Sequence, residues 1–217
     1  MTTLITVAGT HGERHEKAWF RWGSDWWNEA ERRGAKRADV DRKRWSGKVD
    51  GIFGENETWR EGGLRLRDYI LAAASSDIGE VVLVAHSHGG HVVGEALWGP
   101  ISGFEAVITL GTPVRKDVEH HYAGISKRTF EWTHIYSHSD WWQLLGGIGD
   151  GHFSLRRRMK HAHRNIRAKG LGHADLHSVK AWDENNWWDL IFPVRVPFGA
   201  ERRIPLVNLI FGEGKDG

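Results

Sequence analysis

Six consecutive residues, His86 to His91, hold three histidines, one serine and two glycines, and they offer two chemistries. In the first, Ser87 is a nucleophile. It stands in Ala85-His86-Ser87-His88-Gly89, a small-x-Ser-x-small pattern that lets a strand turn sharply into a helix and presents the serine at the bend. The small residues are needed because the strained turn, the strand and the helix leave no room for larger side chains. In the second, His86, His88 and His91 converge on a zinc ion, and a zinc-bound water attacks the substrate.

Each chemistry makes further demands. A serine hydroxyl is a weak nucleophile at neutral pH and needs a base, with a third group to orient that base. The chain supplies Asp140 after HIYSHS and His173 after NIRAKGLG, each just past a strand-like run. His177 is the alternative base. His173 is preferred because it directly follows the strand, whereas His177 falls one turn into a helix-type stretch. Asp140 also stands where it can cap the following WWQLLGG. An oxyanion hole would take the backbone N–H of His88 and a second donor from the loop after the first strand, where Gly9 and Thr10 lie. The zinc chemistry resembles the first ligand cluster of metallo-β-lactamase-fold hydrolases, but Gly90 stands where that motif has Asp. It also leaves the glycine-rich first loop, WSG and GTP without a role.

The elements that must position these residues are short β-type runs alternating with helix-type stretches, the pattern of an α/β protein with a mostly parallel sheet and helices on both faces. LITV (Leu4 to Val7), EVVLVA and AVITL are continuous apolar runs of the buried-strand type. WTHIYS alternates, RNIRAKGLGH holds the last strand, and RADVDRKRWSGK has room for a weak one. Ser24 or Asp25 caps a helix ending near Gly34. Thr58 and Glu61 have the spacing of a capping box, with Leu66, Tyr69, Ile70 and Ala73 on one helical face. HGGHVVGEALW is a helix burying Val92, Val93, Ala96 and Leu97. DLHSVKAWDENNWWDLI reads as one final helix ended by Pro193. Pro113 to Trp132 leaves room for at most a small lid.

The AHSHGG segment, the following VITLGTP and the glycine-rich loop after the first strand resemble the lipase/esterase branch of the α/β-hydrolases. WFRWGSDWW, WSGK and NETWREGGLRL are similar to bacterial lipase-like members, where a His-Gly-Thr loop precedes a Trp-rich segment and a Trp-Ser-Gly strand end. The resemblance spans Leu4 to His177. It implies an α/β-hydrolase fold with an eight-strand-type core, a carboxyl-ester substrate with a short to medium acyl or lipid-like group, and an acyl-enzyme route. Ser87, Asp140 and His173 match the triad in the family's chain order; Thr10 and His88 match the oxyanion donors, and no cofactor is implied. Ala8 stands where the family's loop has histidine. Aligning on His11 and Gly12 instead moves the oxyanion donor from Thr10 to Glu13. The same fold also hosts non-catalytic binding proteins, which an inert Ser87 would make of this chain.

Composition bounds the rest. The 217 residues suit one domain, read as residues 1–193, with 194–217 as a hairpin or interaction tail. A net charge of +2 is too small to argue for nucleic acid. The absence of cysteine rules out disulfides and thiolate sites. No signal-peptide pattern or apolar run near the ~20 residues of a membrane span occurs, so a cytoplasmic location is expected. The basic run SLRRRMKHAHRNIRAKG reads first as a solvated segment, with weak contact to an anionic membrane surface as the other option. Trp26, Trp27 and Trp141 are candidates for an apolar substrate pocket. Oligomeric state cannot be read from these features.

Overall fold

The computed structural model describes residues 2–9, 19, 23–37, 56–74, 80–99, 101, 103–149 and 156–192. Six strands, β1 (Thr2–Val7), β2 (Ala35–Arg37), β3 (Glu80–His86), β4 (Phe104–Leu110), β5 (Thr129–Ser137) and β6 (Arg164–Ala168), form one sheet in the order β2-β1-β3-β4-β5-β6. Every pairing is parallel. Parallel neighbours require crossovers, usually through helices on the sheet faces. Those here are α1 (Asp25–Arg32), α2 (Asn56–Ala74), α3 (Gly89–Ala96), α4 (Glu119–Arg128), α5 (Trp141–Gly149) and α6 (Val179–Glu184).

Strand alternation divides the core in two. Ile5, Val81, Leu83, Ala85 and Val107 face α2, α3 and α4, where Trp59, Ile70, Val92, Val93, Tyr122 and Ile125 meet them. Leu4, Val82, Val84, Ala106, Ile108 and Ile135 face the other way, against Trp26, Trp27 and Ala30 of α1 and Trp182 of α6. Central β3 is buried along nearly its whole length, as expected of a parallel strand covered on both faces. Among the described residues, no helix is long and apolar enough to cross a membrane.

Several elements differ from the sequence reading. Six strands, not eight, lie in the described residues. The second described strand is Ala35–Arg37, which shares Arg37 with the polar run expected to hold one; residues 38–48 of that run lie outside the described residues. Helix α2 begins at Asn56, so Thr58 is inside the helix and not its cap. The final helix is three pieces: a 3-10 turn at Asp175–His177, α6, and a second 3-10 turn at Trp187–Leu190. Pro113 to Trp132 is no lid. It carries α4, which packs His121, Tyr122, Gly124 and Ile125 inward, and the start of β5. Thr10, Glu13, the WSG segment and the 194–217 tail lie outside the described residues.

Candidate active site

All strands run the same way, so their carboxyl ends form one edge, where ligands of open α/β sheets bind. Register places Val7 beside Ala85, His86 beside Leu110, Leu110 beside Ile135 and Ser137 beside Ala168. The loops leaving β3, β4, β5 and β6 therefore start at about the same height. They carry Ser87, Gly111, Asp140 and His173.

Ser87 has φ 53°, a left-handed backbone that is strained for a residue with a side chain. Its N–H donates to Leu110 O at 2.8 Å and its carbonyl accepts from Gly90 N at 3.0 Å, holding the bend between β4 and the first turn of α3. A Cβ on Gly89 would sit 2.6 Å from Ala8 O, and one on Gly9 would sit 2.7 Å from Ser87 Cβ. His88 immediately precedes α3, so its backbone N–H belongs to the N-terminal turn, where amides collect the positive end of the helix dipole.

Asp140 is fully buried. Its Oδ2 lies 2.7 Å from His173 Nδ1, while its Oδ1 accepts from Gln143 N at 2.9 Å. The carboxylate thus caps α5 and faces the histidine at once. Its backbone is held too: Arg157 donates to the carbonyls of Ser137 and Asp140. Gly111 lies against this pair. It has φ +56°, and a Cβ there would come within 2.7 Å of Asp140 Oδ2 and 3.2 Å of His173 Nδ1.

His173 is the histidine that reaches Asp140. His177 turns elsewhere: its ring stacks on Trp19 at 5.5 Å and meets His86 edge-on at 4.8 Å. Burial, then the nearby His173, pushes His177 down to about 4. His86 Nε2 donates to His173 O at 3.1 Å, and burial takes that ring well below the ordinary histidine range. Both rings are therefore neutral at pH 7, so neither sets a positive charge beside His173.

The zinc arrangement is not assembled. His86 Nε2 is bonded to His173 O and His91 Nε2 to Pro113 O. Among the described residues, no three His, Cys, Asp or Glu side chains are grouped to hold a metal ion. Trp26 and Trp27 are 2% and 1% exposed and sit in the core with Trp182 and Trp188. Trp141 is 68% exposed at the start of α5. Three contributors escaped sequence reasoning: Gly111, Arg157 and the His86 ring. Gly111 was legible only as the stop after a strand, and Arg157 was hidden in a basic run that reads as solvated.

No known family model matches the chain, and no curated protein sequence does. Solved structures do. A dienelactone hydrolase-like promiscuous phosphotriesterase from metagenomic libraries superposes with TM-score 0.53 at 12% identity, over 88% of this chain and 87% of that one. A lipase-esterase related protein from Clostridium acetobutylicum gives 0.50 at 11%, over 88% and 94%. TT1662 from Thermus thermophilus gives 0.51 at 13%, over 86% and 88%. The chain has the α/β-hydrolase fold. At such identities the likeness speaks for the fold alone, and activity must be argued from the site.

Proposed function

We propose that the protein is a serine hydrolase of carboxyl esters. The observation that carries this reading is the 2.7 Å contact of His173 Nδ1 with Asp140 Oδ2, at the same sheet edge as the strained Ser87. Ser87 Oγ attacks the ester carbonyl and His173 Nε2 takes its proton. Asp140 holds the ring with Nδ1–H toward the carboxylate and stabilises the imidazolium that forms. The carbonyl oxygen, now negative, is met by the His88 N–H and a donor from the loop after β1, for which Thr10 is the candidate. His173 then protonates the departing alcohol, leaving an acyl group on Ser87 that water removes by the same steps in reverse roles. Esters with a short to medium acyl or lipid-like group are the first substrates to try; a neighbour in fold bears the name lipase-esterase related protein.

The test is labelling with a fluorophosphonate probe. Wild type should label and turn over nitrophenyl esters, with and without chelator; Ser87→Ala should do neither. An unlabelled wild type with hydrolysis abolished by chelator would overturn the serine reading in favour of a metal.

A further inference from the structure

One side chain beside the site has no part in the steps above, yet ties two of its loops together. His86 ends β3 and immediately precedes Ser87. Its ring is buried, and its Nε2 lies 3.1 Å from His173 O. A carbonyl only accepts, so Nε2 must carry the hydrogen. The bond therefore joins the residue before the nucleophile to the residue that carries the base.

The surroundings make this tie specific. His173 lies between the end of β6 and the 3-10 turn at Asp175–His177, in a stretch without regular ladder bonds. Its neighbours are held locally: Gly172 N donates to Asp175 Oδ2 at 2.8 Å, and Trp182 Nε1 donates to Leu176 O at 2.9 Å. Neither bond reaches β3 or the turn that bears Ser87. The His86 ring does, and it also lies 4.4 Å from the His173 ring, centre to centre, with His177 and Trp19 closing behind. Proton transfer from Ser87 to His173 depends on their separation, and misplacement by about 1 Å can cost about 100-fold in rate. A tether at residue 86 fixes that separation more directly than any bond further along either loop.

We infer that His86 is a positioning residue, which sets the distance between the nucleophile and the base through its ring N–H on the His173 carbonyl. This rests on the serine-hydrolase reading. The neutral form of the buried ring suits the task, since it donates without placing a charge beside the imidazolium that His173 becomes.

Two substitutions separate donor from filler. His86→Phe keeps a buried ring and removes the N–H; His86→Gln offers an amide N–H at similar reach. We expect His86→Phe to lower kcat about 10- to 100-fold with KM within about twofold. His86→Gln should recover most of the loss. A second readout needs no turnover: the far-downfield proton NMR signal of His173 Nδ1–H on Asp140 should persist in His86→Gln and weaken or vanish in His86→Phe. If His86→Phe does not fold, His86→Asn, whose amide is too short to reach, replaces it. Wild-type kcat and an unchanged signal in His86→Phe would overturn the proposal. So would a His86→Gln that loses as much as His86→Phe. A wild type that labels with no fluorophosphonate would overturn the serine chemistry instead, and the proton signal would then decide the tether alone.

Discussion

Asp140 divides its two carboxylate oxygens between α5 and His173. Sequence reasoning set these up as rival roles, cap or acid, because either follows from an Asp between a strand and a helix. In the folded chain the two are compatible, because the cap bond holds the carboxylate whose other oxygen faces His173. Asp140→Asn keeps one oxygen and should reduce kcat by about 10³- to 10⁴-fold, the order found when a triad acid is made neutral, with a small change in melting temperature. Asp140→Ala should lose the cap as well and cost about a further 1 kcal/mol in stability; denaturant unfolding of the two variants checks the difference. Gly111→Ala should harm activity more than its size suggests, because the new methyl meets both Asp140 and His173. Ser87 was legible because its steric needs are local and leave small residues in the chain. His173 was preferred over His177 for its place directly after the strand, and the turn at Asp175–His177 directs the first toward Asp140 and the second onto Trp19.

Helix α1 lays Trp26 against Trp182 of α6 at 5.1 Å and against the Trp188 ring of the second 3-10 turn at 5.3 Å, with Trp27 in the same core. Edge-to-face and tilted packing of this kind adds to the area the rings bury. A tryptophan pair beside a candidate site reads equally well as a pocket wall, because composition does not say which side of the helix meets the sheet. Trp26→Ala should therefore destabilise the protein by about 3–5 kcal/mol and leave acyl-chain preference unaltered across a panel of nitrophenyl esters. A changed preference without lost stability would return the residue to the pocket. The broken final helix was readable in principle. Ser178 accepts from Ala181 N as a cap, and Asn186 adopts φ 54°, a conformation asparagine tolerates better than most residues. Both residue types stand in the run that reads as one helix. Conversely, the supposed lid had to be a crossover once β4 and β5 were parallel neighbours.

Across the whole molecule, burial leaves several histidines hard to protonate. His134 and His177 are each pushed down to about 4, and His86 and His91 go well below the ordinary value. Unfolded, each would titrate near 6.5. Between those values the unfolded chain binds more protons, so stability falls as the pH drops from about 6.5 toward 4 and is level above. A shift of this size is worth roughly 3 kcal/mol for each of His134 and His177. Thermal unfolding should show a steady melting temperature from pH 7 to 8 and a steep decline below 6, milder in His134→Gln. An unchanged melting temperature down to pH 4.5 would contradict the burial of these rings. At this scale the parallel α/β architecture was evident from alternating apolar runs, while the three-residue β2 has too few apolar positions to show in the sequence. The glycines packed about the sheet edge have one more consequence, in the map of tolerated substitutions. A scan of every residue should find Gly9, Gly89, Gly90 and Gly111 as intolerant as Ser87, since an added carbon strikes backbone or site atoms or, at Gly90, the buried Thr112 side chain. Gly23, Gly34 and Gly170 have open space around them but φ of +81°, +97° and +72°, so side chains there should be limited by backbone strain alone, with asparagine the least costly. Such a map would trace the outline of the active site through positions that need never touch a substrate.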